Sequence, residues 1–405
     1  MRDELALFEL TAPVSPRPGE RWPDYKRKVE EKLGPVLERA THFLGLAPQP
    51  LFAANGFHGK VSPDQLRELR RDVLGPSVRW IEWELEGSEV DAGQIAIVAQ
   101  RIGWERPSSA PKPFSGRGVR VAVLDSGIDT THPFLRVAAS VSTCGEDVDA
   151  PGRHGTFCAG VIAARHPQYS GIAPAVDLLN VKTSRAGGST TPAYLAQGID
   201  EALDRRADVL SLSCGLNQAD HRWHCLDGHC LLCRAVDNAV TCGALVITAA
   251  GNLHRRHPDP ATRPRTELLC PAQARKALTV GAVEKISFPK LYRPSSHGPT
   301  AYGLQKPDLV APGGDVLSTV PVPAGHEQGD PSSLFRLFSR ESGTSVASAV
   351  VAGAVALLIE KRAREGREWT PEEIREELLT RFVRRLDGVP LEAVGAGCLD
   401  LSGLG

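Results

Sequence analysis

VRVAVLD, residues Val119 to Asp125, is the stretch whose reading decides the fold. It is a short Val-rich run that stops on a carboxylate and barely alternates with polar residues. A strand wetted on one face alternates, whereas a strand buried on both faces reads as a continuous apolar run. Two further runs of this kind follow, ADVLSLS over 207–213 and ALVITAA over 244–250, with helical stretches at Pro192 to Arg205 and Val346 to Arg364. Buried strands separated by helices predict a mostly parallel sheet covered on both faces, an α/β domain. Sites in such sheets gather at the carboxyl ends of the strands, where Asp125 stands.

Upstream, residues 1–87 read as a small α+β unit. Leu5 to Ala12 suits a strand, and Asp24 to Leu33 sets Tyr25, Val29 and Leu33 on one helical stripe before Pro35 interrupts it. Pro50 to Val61 predicts a strand or hairpin turning at Asn55-Gly56. The next helix carries Ser62 as N-cap, Pro63 at the first helical position, Gln65 to close a capping box and Gly75-Pro76 as its stop. Val78 to Leu85 is the last strand. Two helices on a small antiparallel sheet, a ferredoxin-like arrangement, is the simplest architecture. Residues 88–117, with Pro107, Pro111, Pro113, Gly116 and Gly118 at and just beyond their end, have the composition of a linker. The main domain then runs over 118–405, where Thr370-Pro371-Glu372-Glu373 caps one more helix.

Composition excludes several classes of function. Lys plus Arg number 47 against 48 for Asp plus Glu, which leaves no electrostatic footprint for nucleic acid or an acidic membrane. MRDELALFELTAP lacks the basic and then unbroken apolar segments of a secretory signal, so the chain is expected in the cytoplasm. The run Val346 to Ile359 is short for a membrane span and reads as a buried helix. Nine cysteines without a secretion signal are expected as thiols, metal ligands or reactive groups rather than staples.

Four segments carry chemistry. VAVLDSGIDTTHP (121–133) offers Asp125, GRHGTFCAGVIAA (152–164) offers His154, VITAAGN (246–252) offers Asn252, and ESGTSVASAVVAGAVALL (341–358) offers Ser345 at the start of a closely packed helix. Each alone has an ordinary structural reading: a turn-forming Asp, a satisfied His, an N-capping Ser. Together, in the order Asp, His, Asn, Ser, they resemble the subtilisin-like serine peptidases, or subtilases. The resemblance runs from about Phe114 to Leu401 and includes SSHGPTAYGLQKPDLVAPG (295–313) and GAGCLD (395–400).

The resemblance implies a three-layer subtilisin-like fold and hydrolysis of peptide bonds in proteins or peptides. Asp125, His154 and Ser345 would form the triad, Asn252 the oxyanion hole, and no cofactor would be required for catalysis. Ser213-Cys214-Gly215 and Ala249-Ala250-Gly251 would line the pocket for the residue before the cut, and Ser184 to Thr190 would offer an edge to an extended peptide. NGFHGKVSPDQLRELRRD (55–72) followed by SVRWIEWE (77–84) is similar to the subtilase propeptide, which implies an N-terminal domain acting as chaperone and inhibitor and a cut between Glu84 and Gly118. A catalytically decayed binding protein on the same scaffold is the rival reading, opposed by the filled catalytic positions.

The sequence also departs from the family. Val346 and Ala349 stand where Met and Pro are usual, and Arg153 stands where Gly precedes the histidine. Phe134 replaces an aspartate that binds calcium and cannot ligate a hard cation, so that site is expected to be absent. An insert at about 216–236, HRWHCLDGHCLLCRA, is rich in Cys and His; His224, Cys225, Cys230 and Cys233 are candidate ligands for a structural zinc. Free thiols, a redox-dependent disulfide or plain loop packing together weigh more than the metal. A metal or redox control of activity through this insert is a further alternative.

Overall fold

Parallel pairing of the predicted buried runs builds the centre of the molecule. In the computed structural model, which describes residues 4–44, 47–62, 65, 69, 74, 78–83, 87–89, 94–95, 113–167, 169–185, 187–216, 225–254, 266–284, 290–323 and 334–404, they form a nine-stranded sheet. Its spatial order is Val383–Arg384, Cys398–Leu399, Leu309–Pro312, Leu278–Val283, Leu245–Ala249, Val209–Leu212, Arg120–Asp125, Asp177–Lys182 and Val137–Ser142. Every pairing is parallel except that of the first two. Helices cover both faces, giving the three layers expected of a doubly buried sheet.

The helix Thr344–Arg364 runs through the core on one side of the sheet and is buried from Thr344 to Glu360 on all faces. That burial explains its composition of Ala, Val, Gly and Leu, apolar all round instead of along one stripe. By length and composition alone it could cross a membrane, but 94% of its most apolar window is enclosed by the protein itself.

The N-terminal unit has a four-stranded antiparallel sheet in the order Gln49–Leu51, Gly56–Val61, Glu4–Leu10, Val78–Trp83. Asn55 adopts the left-handed turn conformation, φ 58°, as its place before Gly56 predicts. The first helix corrects the sequence reading. It runs from Trp22 to Leu44, straight through Pro35, because Val36 and Ala40 continue the buried stripe of Tyr25, Val29 and Leu33. Burying them against Phe8, Leu10, Phe57 and Val61 offsets the roughly 3 kcal/mol that an internal proline costs. Most of the second expected helix lies outside the described residues. Its capping box is formed: Ser62 N donates to Gln65 Oε1 (2.9 Å) and Gln65 N to Ser62 Oγ (3.2 Å).

This unit sits on the helices Pro192–Asp204 and Leu231–Thr241. Phe52 N and Ala53 N each donate to the buried Asp200 carboxylate at 2.8 Å, and Asn238 Nδ2 donates to Ala53 O (2.7 Å) and Tyr25 Oη (2.9 Å). Lys26 Nζ pairs with Asp204 at 2.6 Å, and Arg234 pairs with the buried Glu9. Trp22, Tyr25, Val29 and Leu51 share one apolar cluster with Ala196, Ile199, Leu232 and Val236.

Candidate active site

Strand register assembles the site. Leu212 pairs with Leu124 on one side and with Thr248 on the other, so the residues that follow, Asp125, Ser213 and Ala249, emerge side by side at the carboxyl edge of the sheet. Asp125 is fully buried, and its backbone oxygen accepts from Thr183 N and Ser184 N. His154 is the second residue of the helix Arg153–Ala163, and its Nδ1 lies 2.9 Å from both Asp125 carboxylate oxygens. Ser126 donates twice to the same carboxylate, from N (2.7 Å) and from Oγ (3.1 Å). Burial alone would raise the Asp125 carboxyl, but the charge of His154 and the hydrogen bonds from His154 and Ser126 outweigh it and hold the acid below its ordinary range. Asp125 is therefore an anion that fixes the imidazole with Nδ1 protonated and Nε2 turned away.

The helix start must lie against the Asp125 loop for this contact to form. A side chain at Gly155 would meet Gly127 O at 2.5 Å, so the Gly after His154 is what permits the approach. Cys158, one turn on, is buried 4.0 Å from His154 Nδ1, and burial pushes its thiol up; it behaves as the small apolar residue expected.

Ser345 is the second residue of the central helix, which packs against the His154 helix. Its Oγ is buried and has no hydrogen-bond partner among the described residues, so the Ser345 to His154 bond is not made in this state. Serine to histidine bonds are often long before substrate arrives. Ser213 Oγ donates to Ser345 O at 3.2 Å and ties the strand end to the start of the central helix.

Asn252 is held by its acceptor. Thr344 N and Thr344 Oγ1 both donate to Asn252 Oδ1, at 3.1 and 3.2 Å. A backbone N–H on that atom settles which end of the amide is oxygen and leaves Nδ2 as the donor end directed away from Thr344. Gly251, at φ +113°, supplies the turn between Ala250 and Asn252, and Gly251 N donates to Thr344 Oγ1 at 3.0 Å.

Residues 87–89, within and beside the stretch read as a linker, form a strand between the two edges assigned to substrate. Glu89 pairs with Cys214 and Ser88 with Gly215 on one side; Ser88 pairs with Ser189 and Gly87 with Thr190 on the other, both antiparallel. Farther along, Ile95 pairs with Asp315.

Several residues were not singled out from sequence. Thr344 and Ser126 hold the Asn252 amide and the Asp125 carboxylate, yet each reads as an unremarked neighbour within its motif. Glu341 answers the anomaly of Arg153: it is buried, pairs with Arg153 Nε at 2.9 Å and so ties up the cation beside the site. Leu269 packs against Gly215 and Gly251, where added side chains would meet its Cβ and Cγ at 3.2 and 2.8 Å. Phe134 stacks edge-to-face on His166, 4.6 Å between ring centres, where the resemblance had placed a calcium ligand. Val346 and Ala349 are buried in the core. His224 lies outside the described residues.

Comparison with known proteins agrees with this geometry. The subtilase family profile matches residues 116–397. The chain is 33% identical over 314 residues to the intracellular serine protease of Paenibacillus polymyxa, covering 75% of this chain and 83% of that one. It is 32% identical over 285 residues to serine protease AprX of Bacillus subtilis, covering 65% of this chain and 61% of AprX, so it spans about three fifths of that relative's length. Subtilisin E of Bacillus subtilis is 29% identical over 322 residues, with 77% and 71% covered. With the aspartate, histidine, asparagine and serine of the family brought to one sheet edge in the family's order, the chain belongs to the subtilase family of serine proteases.

Proposed function

We propose that the protein is an endopeptidase that cuts extended segments of proteins and is made in a self-blocked form. In this reading Ser345 Oγ attacks the scissile carbonyl, and His154 Nε2 takes its proton and returns it to the leaving amine. Asp125 holds the imidazole and stabilises the imidazolium. Asn252 Nδ2 and the Ser345 N–H receive the oxyanion. The acyl-enzyme is then hydrolysed by water along the same route in reverse.

The observation that carries the reading is the strand Gly87–Glu89, paired by its backbone on both sides as an extended substrate would be. It supports a cleft that recognises main chain over some residues before the cut. It also supports residues 1–87 as an inhibitor whose tail fills that cleft while the unit docks on Asp200, Asp204 and Asn238. Glu89 pairs with Cys214, the neighbour of Ser213, so the proposed cut lies beyond Glu89 and before Gly118. None of the nine cysteines is in a disulfide, which suits a reducing, intracellular setting.

The test is the fate of the full-length chain. Active protein should yield two fragments with the new N-terminus between Glu89 and Gly118 and should label with a fluorophosphonate, whereas Ser345→Ala should persist as one chain. Near-normal peptide hydrolysis by Ser345→Ala would overturn the triad. Full activity in an uncut chain, with no inhibition by the added N-terminal fragment, would make the N-terminal unit a permanent accessory domain.

A further inference from the structure

The Cys-rich insert folds against a distant loop to make a cluster that sequence spacing does not show. Cys225, Cys230 and Cys233 are joined by Cys270, and all four Sγ atoms lie within 4.8 Å of one another. Cys225 to Cys233 is 3.5 Å, Cys230 to Cys270 is 3.3 Å and Cys233 to Cys270 is 3.7 Å. Cys225, Cys233 and Cys270 are fully buried and Cys230 is half-buried.

We propose that Cys225, Cys230, Cys233 and Cys270 bind one structural zinc ion as a four-thiolate site. A tetrahedron with Zn–S bonds of about 2.3 Å has S···S edges of about 3.8 Å, close to the separations found here. Two disulfides are the competing arrangement. They would draw the sulfurs into two pairs at about 2.05 Å, and the contact from Cys233 across to Cys270 would have no purpose. An all-sulfur, tetrahedral donor set selects zinc over hard cations. The outer shell is also supplied: Cys233 N donates to Cys230 Sγ at 3.4 Å, as the backbone does around ligating thiolates, and Cys230 is the N-cap of the helix that carries Cys233. Four thiols exchange four protons for the ion, and no redox step is involved.

The position of the fourth ligand gives the ion a task. Cys270 N donates to Leu216 O (3.0 Å) and Leu216 N to Cys270 O (2.8 Å). Leu216 follows Cys214–Gly215, the edge that pairs with Ser88 and Glu89. The zinc thus ties the insert and the Leu231–Thr241 helix to the backbone that braces the peptide-binding edge. This bracing rests on the peptidase reading; the metal itself does not.

Metal analysis of the full-length Ser345→Ala chain, purified without chelator, should give about one zinc per chain. Cobalt exchanged into it should show the visible bands of a tetrahedral thiolate complex. Cys270→Ser should lose most of the zinc, while His224→Ala should retain it. No zinc retained after dialysis against an equimolar amount, or Cys225–Cys233 and Cys230–Cys270 disulfides in the native protein by peptide mass mapping, would overturn the site. Loss of zinc in His224→Ala would overturn the four-thiolate set. Because Cys270→Ser puts a hydroxyl at a fully buried position, the cobalt spectrum of the unsubstituted cysteine set decides independently of folding. In processed enzyme, chelation should raise KM for extended peptides severalfold while leaving a single-residue ester little changed. A metal-bearing enzyme whose KM ignores chelation would overturn the bracing and leave the metal standing.

Discussion

Asn252→Ala removes two things, and the structure separates them. The first is the donor end, Nδ2. Loss of one such donor costs about 10²–10³ in turnover, roughly 3–4 kcal/mol of barrier, a figure that comes from subtilisin itself and is adopted as it stands. The second is the acceptor Oδ1, on which Thr344 N and Oγ1 both rest. A buried N–H left without its acceptor lowers stability by about 1–3 kcal/mol. Turnover should therefore fall while KM hardly moves, and the melting temperature should fall separately. Thr344→Val tests how the amide is held. It removes the hydroxyl that donates to Asn252 and accepts from Gly251 N, but leaves Thr344 N in place, so one of two restraints is lost. We expect kcat to fall about tenfold, near 1.4 kcal/mol. The double variant should be no slower than Asn252→Ala alone, because Thr344 has nothing left to orient. The assay is steady-state hydrolysis of a chromogenic peptide, with active sites titrated so that misfolded enzyme is not counted. Additive losses in the double variant, or an Asn252→Ala effect confined to KM, would refute the orienting role.

Two further outcomes follow from the interface and the pocket. Burial pushes the Asp200 carboxyl up to about 7, against the pull of the Ala53 and Phe52 amides and of Lys26. To the extent that docking supplies this burial, docking takes up a proton, so this group's favourable contribution is full at low pH and is lost as pH rises through about 7. The separately made N-terminal fragment should then inhibit the mature domain more tightly at about pH 5.5 than at pH 8, by at most tenfold per pH unit. Asp200→Asn should flatten that part of the profile; a profile parallel to the parent's would exclude Asp200 as its source. Leu269→Ala should enlarge the pocket beside Gly215 and Gly251 and shift preference before the cut toward larger apolar side chains, read from kcat/KM over a peptide series. An unchanged preference would show that Leu269 is only packing.

The sequence alone determined the class of the fold and the family, and it named the residues proposed for catalysis. The continuous runs ending at Asp125, Ser213 and Ala250 can only be doubly buried strands, and the four motif residues stand in a fixed order along the chain. Local signals of this kind depend on neighbours a few positions apart, as does the capping box at Thr370, which forms with Glu373. Tertiary structure decided what depends on residues far apart. Pro35 stays inside a helix because Val36 and Ala40 find Phe8 and Phe57 to pack on. Residues 87–89 become a strand because two exposed edges, more than a hundred residues downstream, offer them backbone partners. Cys270 joins three cysteines some forty residues earlier because the strand end at Leu216 bonds to it. Periodicity and capping are written in the order of residues; partners brought together by closing a sheet are written only in the register of its strands, which no local pattern encodes.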